Sequence, residues 1–332
     1  MSRPYLSRKM HKVLITSVPF GQKNRKPIEI LDSLSVDYEI NKIGRKLSED
    51  ELKSMINDYT ILIAGTEPIT RKVMENAPEL KLISRIGIGL DNVDLKSAKD
   101  LGIKVSYTPD APAPAVSELT IGLMISIMRS IQIANMNMHQ GNWNRFFGRR
   151  FEDLTIGIIG LGRIGKRVLE HLNGFKCREI LLSDLIEDHD IASNRNIRWV
   201  DKETIYSHSD LITLHIPLNS STHNLIGSKE IAMMKDDVML VNTSRGGIID
   251  EIELYNGLKK GKIASAAIDV FEKEPYEGNL STLDNCLITS HMGSMTEDCR
   301  SRMEVEATEE AARFIKGEKL ELAVPKDEYE DL

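Results

Sequence analysis

Cysteine is rare in this chain: 332 residues contain three, Cys177, Cys286 and Cys299. An odd number, with no C-x-x-C and no Cys/His ligand spacing, argues against a disulfide framework and offers no zinc site, so no metal is expected and a reducing cytoplasm fits best. A basic excess is also missing. With 43 Lys and Arg against 50 Asp and Glu the formal net charge is -7, the opposite of the clustered basic face that nucleic-acid binding needs, although a local site for a small anion remains compatible with it. Long apolar runs are missing too. The longest, "TIGLMISIM" at 120–128, is far too short for a membrane-spanning helix, and "MSRPYLSRKM" at the start lacks the apolar core of a secretory signal. The expectation is a cytoplasmic protein with no nucleic-acid and no membrane partner.

What the sequence does contain is alternation. Apolar β-rich runs alternate with amphipathic helical runs, the pattern of parallel sheets with helices on both faces, so the fold class is α/β. A first block has strand candidates at 11–17, 37–43, 60–66, 80–89 and 103–108, with capping-box spacing from Ser48 to Glu51 opening one of its helices. A long helical run from Val116 to His139 and the turn-rich "GNWNRFFGRR" lead to a second block. Its strand candidates lie at 155–160, 178–184, 197–200, 210–217, 237–243, 264–270 and 286–291, enough for a complete doubly wound sheet. From Thr296 one helical stretch follows, with Ser294 and Glu297 at capping-box spacing and Met303, Ala307, Ala311 and Phe314 on one face. It can return to the first block, making that domain discontinuous, and the closing "PKDEYEDL" reads as a solvated acidic tail.

The stretch "TIGIIGLGRIGKRVLEHL" places Gly160, Gly162 and Gly165 as G-x-G-x-x-G between a strand and a helix. In a dinucleotide site the first glycine allows the tight turn, the second lets backbone approach a pyrophosphate, and the third lets helix and strand pack closely. The next strand ends in Asp184, 19 residues beyond Gly165, where a carboxylate can accept both ribose hydroxyls. No Arg or Lys follows until Arg195, so a 2′-phosphate has no cation to meet and NAD is favoured over NADP.

Ligands of open α/β sheets collect beyond the carboxyl ends of the strands. Three consecutive strand ends in the second block carry Arg245, then Asp269 and Glu274, then His291. A dehydrogenase acting on a 2-hydroxy acid needs such a set. Hydride transfer to a 2-oxo acid builds negative charge on an oxygen that must then be protonated; an imidazole can donate that proton while a carboxylate fixes its tautomer. A guanidinium can hold the substrate carboxylate and polarise the carbonyl. Each residue taken singly also has a structural reading, as an ion pair, a loop acid or a strand-end histidine.

From about residue 60 to 318 the chain resembles the D-isomer-specific 2-hydroxyacid dehydrogenases. The stretches that carry the resemblance are "GIGLDNVDL" (87–95), "VSELTIGLM" (116–124), "GNWNR" (141–145), "GIIGLGRIGKRV" (157–168), "LHIPLNSSTHNLIG" (214–227), "VNTSRGGIIDE" (241–251), "AAIDVFEKEP" (266–275) and "SHMGSMT" (290–296). The resemblance implies two doubly wound domains: a Rossmann-type NAD-binding domain at 109–295, inserted into a flavodoxin-like substrate-binding domain made of 1–108 and 296–332. It implies that Arg245 binds substrate, that His291 is the acid/base and that Glu274 is its partner. For NAD it implies contacts from Arg163, Ile164, Asp184, His215, Pro217, Thr243, Ser244, Asp269, Gly293 and Ser294, beside the three glycines. Backbone N–H groups at Ile88 and Gly89 would take the substrate carboxylate, and a homodimer would form through the NAD-binding domain.

Within the family the sequence is most similar to the phosphoglycerate-oxidising members, which implies 3-phosphoglycerate as substrate and a place in serine biosynthesis. Glyoxylate, hydroxypyruvate or D-lactate reduction is the alternative, and an NAD-sensing co-repressor-like binding protein is the alternative of another class. Three departures stand out. Ser290 precedes the histidine where the family often has proline, "GRRFEDLT" (148–155) lacks the usual acid, second glycine and lysine, and no arginine stands near Ala64, where several phosphoglycerate dehydrogenases carry one. Arg85 and Arg145 are the cations left to meet a phosphate.

Overall fold

The structure, a computed structural model, describes residues 11–188, 190–191 and 196–329. Arg195, the whole of the "MSRPYLSRKM" start and the last three residues of the acidic tail lie outside the described residues. The chain divides into two compact units, unit 1 from Met1–Pro112 with Thr296–Leu332 and unit 2 from Ala113–Met295. The crossing falls slightly later than the 108/109 boundary read from the sequence. Tyr107 N donates to Leu322 O at 3.1 Å and Thr108 Oγ1 accepts from Gly87 N at 2.8 Å, which ties both residues into unit 1.

Unit 1 has five parallel strands, β1 (Lys12–Ile15), β2 (Asp37–Ile40), β3 (Ile61–Ala64), β4 (Leu82–Arg85) and β5 (Lys104–Ser106). Their order is β2-β1-β3-β4-β5, the flavodoxin-like arrangement. Every residue of β3 and β4 is buried, as the continuous apolar runs of a sheet covered on both faces require. The expected capping box forms: Ser48 accepts from Glu51 N, and Glu51 Oε2 accepts from Ser48 N at 2.9 Å.

The helix Glu297–Lys316 returns to this sheet, burying Met303, Ala307 and Ala311 and accepting a 2.8 Å hydrogen bond from Ser84 Oγ at Ala307 O. Phe314 is only half-buried, edge-on to His11 and under Lys104. The helix is capped by Thr296, whose hydroxyl accepts from Cys299 N; Ser294 lies before the cap, so the predicted Ser294/Glu297 box is not formed. The tail is not wholly solvated either, because Tyr329 packs against the unit 1 core.

Unit 2 has seven parallel strands: β6 (Thr155–Ile159), β7 (Glu179–Ser183), β8 (Ile197–Trp199), β9 (Leu211–Leu214), β10 (Val238–Asn242), β11 (Ile263–Ile268) and β12 (Cys286–Ile288). The order β12-β11-β10-β9-β6-β7-β8 is the Rossmann order with one strand added at the β12 edge, and its direction reverses between β6 and β9. One apolar layer includes Leu214, Leu240 and Ile268; the other includes Ile156, Ile158, Val168 and Met124. The single long helix expected from Val116 to His139 is two helices, Ala113–Met128 and Ile131–His139, bent by 66°. Ser130 takes a left-handed conformation, φ 51°, which ends the first helix. Among the described residues no single helix is long and apolar enough to cross a membrane, and that bent pair passes by length and composition only.

Candidate active site

The glycine loop follows β6, beside the point where the strand order reverses. Gly160 has φ +95°, and a side chain there would meet the backbone of His215 at 2.5 Å. At Gly165 a Cβ would stand 2.0 Å from Gly160 O, so strand and helix touch through it. Gly162 differs: a Cβ would meet nothing within 4 Å, so the space over it is open. It is the N-cap of the helix Arg163–Asn173 and brings no side chain to the first turn, where Arg163 and Ile164 stand. An uncovered backbone at a helix N-terminus suits an anionic pyrophosphate.

Beyond the loop a cleft of about 710 Å³ is lined by Leu161, Gly162, Asp184, Leu185 and Ile186 among others, a size that suits one small ligand. Asp184 is exposed at the end of β7 and accepts from the amides of Leu161 and Leu185, which fix its carboxylate at the mouth. Lys166 is paired with Asp188 on the rim at 2.8 Å. Leu185 and Ile186 are exposed apolar side chains beside the carboxylate, an arrangement that fits an adenosine with its flat base on apolar surface and its ribose on the acid. His215, at the end of β9, bonds Thr213 Oγ1 through Nε2 at 2.9 Å and keeps a buried, unpartnered Nδ1. Burial pushes its imidazole down to about 3, so it is neutral at physiological pH. Pro217 follows it on the exposed surface.

Arg245 sits in a turn built by Asn242. The Asn242 amide donates to Arg245 O at 2.8 Å, and its oxygen accepts from Ser244 N at 3.0 Å and Ser244 Oγ at 2.8 Å. Thr243 is held by Thr120 Oγ1 at 2.8 Å, from the helix Ala113–Met128. The glycine pair after the arginine serves packing and turn geometry. A Cβ on Gly246 would lie 1.9 Å from the Phe271 carbonyl carbon, so this glycine lets the arginine turn press against the 271–274 turn. Gly247 faces His223 and Leu218 and has φ +76°, a left-handed turn suited to glycine.

The 271–274 turn and the β12 end together hold the imidazole. His291 Nδ1 lies 2.9 Å from Glu274 Oε2 and 3.1 Å from Oε1, while Glu274 Oε1 also accepts from Phe271 N. The two side chains retain 40% and 30% of their exposure, which leaves the pair reachable by a ligand. With Nδ1 on the carboxylate, Nε2 is the nitrogen available for proton exchange. Asp269 is buried under this loop. Its oxygens accept from Thr289 Oγ1, Met292 N and Gly293 N, and its carbonyl accepts from His291 N. His291 has φ 50°, and in this left-handed turn three successive amides converge on Asp269. Asp269, expected to touch NAD, is held by these bonds and positions the histidine. Gly293 is buried beside it and Ser294 is half-buried.

In unit 1, Ile88 and Gly89 lie in the half-buried loop after β4. Arg85, expected as a phosphate ligand, is buried: Nε donates to Asn92 Oδ1 at 3.1 Å and Nη1 donates to Ile86 O, which folds the guanidinium beneath the loop. Arg145 is exposed in unit 2. The bonds made by Asn242, Thr289 and Glu251 carry no signal of their own in the motifs; Glu251 accepts from Glu272 N at 2.9 Å and braces the 271–274 turn. Burial pushes the Glu251 carboxyl up, its bond from the Glu272 amide opposes this, and the nearby Glu272 and Asp250 charges add to the rise. Of the three, Asn242 was open to detection as an Asx turn at a strand end.

These features define unit 2 as a Rossmann-type dinucleotide-binding protein with a guanidinium and a carboxylate–imidazole pair at its ligand edge. A model of the D-isomer specific 2-hydroxyacid dehydrogenase, NAD binding domain, matches residues 121–293. A D-3-phosphoglycerate dehydrogenase of Methanocaldococcus jannaschii is 38% identical over 301 residues, 88% of this chain and 57% of that protein. A hydroxypyruvate reductase of Thermotoga maritima is 37% identical over 278 residues, 82% of this chain and 90% of the other. Among solved structures, D-lactate dehydrogenase from Aquifex aeolicus, complexed with NAD and lactic acid, matches with a TM-score of 0.82 at 26% identity, covering 92% of this chain and 96% of that one. The chain belongs to the D-isomer-specific 2-hydroxyacid dehydrogenase family, and NAD is its cofactor. It spans little more than half the length of the phosphoglycerate dehydrogenase it matches.

Proposed function

We propose that this protein interconverts a D-2-hydroxy acid and its 2-oxo acid, with NAD as the hydride acceptor or donor. The observation that carries the reading is the 2.9 Å His291–Glu274 pair, one strand along from the Arg245 turn. Arg245 takes the substrate carboxylate and polarises the carbonyl, His291 gives the alkoxide oxygen its proton from Nε2, and Glu274 stabilises the imidazolium and fixes its tautomer. Asp269 and Asn242 keep those groups in register. The glycine loop with Arg163 and Ile164 would hold the pyrophosphate and Asp184 the adenosine ribose. His215, Pro217, Thr243, Ser244, Gly293 and Ser294 would line the remainder of the cofactor site.

Unit 1 is the substrate-binding domain in this reading, its Ile88 and Gly89 amides offered to the carboxylate. Exposed Ile131, Met136, Met138, Trp143 and Phe147 support a homodimer through unit 2, which sedimentation would test. The resemblance favours 3-phosphoglycerate, and with it serine biosynthesis. Burial of Arg85 favours a second reading, reduction of glyoxylate, hydroxypyruvate or another short 2-oxo acid.

The function is tested by following nicotinamide absorbance with NAD and a panel of D-2-hydroxy acids, and with NADH and the matching 2-oxo acids. Turnover in either direction is expected. Binding of NADH with no turnover of any member would replace the enzyme reading by a dinucleotide-sensing one.

A further inference from the structure

We propose that Lys166 and Asp188 form a latch that holds the adenosine cleft against a 2′-phosphate, so that coenzyme choice rests on this ion pair as well as on Asp184. The proposal rests on the reading above, in which Asp184 takes the adenosine ribose, and adds a second pair of residues that sets the specificity of that site.

The residues that closely follow Asp184 include no Arg or Lys, but the fold brings a cation to the cleft from the glycine-loop side. Lys166 stands in the first turn of the helix Arg163–Asn173, where its amide donates to Gly162 O at 3.1 Å. Its side chain reaches the loop after β7 and lines the same cleft as Gly162 and Asp184. Among the described residues that line this cleft Lys166 is the one cation, set against four acids, Asp184, Glu187, Asp188 and Asp190. Lys166 Nζ donates to Asp188 Oδ2 at 2.8 Å, a charge-assisted hydrogen bond.

Asp188 is fixed by its own loop. Its Oδ1 accepts from Asp190 N at 3.2 Å and its carbonyl accepts from Ile191 N at 3.1 Å. The acid is therefore anchored, and the flexible four-carbon stem of the lysine is what comes to it. The two side chains retain 49% and 35% of their exposure, so the pair stands where a ligand in the cleft meets it. A ribose with free hydroxyls needs nothing from this pair, because Asp184 is its acceptor. A 2′-phosphate on that ribose needs a cation, and reaching Lys166 brings it against Asp188, whose carboxylate gives up the Asp190 amide if it swings away. The incoming phosphate must displace an anchored like charge or share one cation with it. Neutralising Asp188 removes the competitor and leaves the cation in place.

The test is fluorescence titration of NADH and NADPH into the purified protein, read as the ratio of the two dissociation constants and independent of turnover. Wild type is expected to bind NADH more tightly by about 100-fold, roughly 2.7 kcal/mol. Asp188→Asn keeps an acceptor for Asp190 N and releases the lysine, so the ratio should narrow by about tenfold through tighter NADPH binding, roughly 1.4 kcal/mol. Loss of one negative charge would by itself favour NADPH, so Lys166→Met is made in both backgrounds. The latch requires Lys166→Met to change NADPH affinity by less than about threefold in wild type and to weaken it by about tenfold in Asp188→Asn, a coupling that the double-mutant cycle isolates. An unchanged ratio in folded Asp188→Asn overturns the proposal, as does an equal effect of Lys166→Met in the two backgrounds. Urea melts establish folding, and Asp188→Ser, which also retains an acceptor oxygen, takes the place of an asparagine variant that does not fold. A wild type that binds NADPH as tightly as NADH refutes the ribose assignment of Asp184 and the latch with it. That result is distinct from a selective wild type whose Asp188 variants stay equally selective, which removes the latch alone.

Discussion

Substituting Gly246 by alanine tests the registration of the reacting groups without touching any of them. The added methyl would lie 1.9 Å from the Phe271 carbonyl carbon, 2.1 Å from its oxygen and 2.3 Å from Glu272 N. All three neighbours are backbone, so no rotamer change relieves the overlap. Restoring ordinary contact requires the two turns to separate by about 1.5 Å. Arg245 rides on one turn; Glu274, and through it His291, depends on the other. A misplacement of about 1 Å can cost on the order of 100-fold in rate, so kcat/KM should fall by about that factor, with about 1–3 kcal/mol lost from stability. Steady-state absorbance assays at 25 °C measure the first and urea melts the second. The glycine loop is remote from the change, so NADH affinity, read by fluorescence titration, should move far less. A cooperatively folded variant whose kcat/KM stays within about threefold of wild type would refute the argument that this contact registers the site.

Three other perturbations address separate parts of the site and fold. His291→Ala should lower kcat by about 10²- to 10⁴-fold; near-normal turnover would remove the histidine from proton transfer. Asp184→Ala should weaken NAD binding by about 10- to 100-fold, the value of a charged hydrogen bond, and narrow the preference over NADP; unchanged titrations with both would count against the ribose assignment. At the opposite edge of unit 2, burial alone would raise Asp210, but the Thr155 amide, Lys235 and Arg149 outweigh it and hold the carboxyl below its ordinary value. A lowered folded pKa contributes stability above the unfolded value and loses it as pH falls through the folded one. Asp210→Asn should therefore cost about 1–3 kcal/mol at pH 7, a deficit that shrinks below about pH 4. Urea melts showing the same deficit at pH 7 and pH 3 would contradict this.

The strands were the most legible part of the fold, because a parallel sheet covered on both faces writes each strand as a continuous apolar run. Those of β3, β6 and β10 are buried throughout. The break at Ser130 was not legible, since neither glycine nor proline marks it. The cap at Thr296 was misplaced to Ser294 because two hydroxyl residues stand within one turn of acidic ones and only backbone geometry chooses between them. In the site, Arg245, Glu274 and His291 could be found from strand ends alone. Sequence shows that Gly246 lacks a side chain but not which backbone fills the space. It shows Arg85 at the end of a strand but not on which side of its loop the guanidinium lies. Asn242 is an ordinary residue in composition; its importance comes from the bonds that a particular turn presents to it.

The insertion of one unit into the other fixes an order of assembly during synthesis. The helix Glu297–Lys316 covers one face of the first sheet, and the segment after it bridges β5 through Ala323 and Ser106. Both are translated only after all of unit 2, so the five amino-terminal strands leave the ribosome without the helix that completes that face. Unit 2 has no such dependence: its first helix and its last loop already meet, with Gly293 against Val116. The usual amino-terminal-first sequence of domain folding should therefore be reversed. A nascent chain halted just past Met295 should resist protease across the dinucleotide-binding unit while its first hundred or so residues remain open to cleavage and to chaperones.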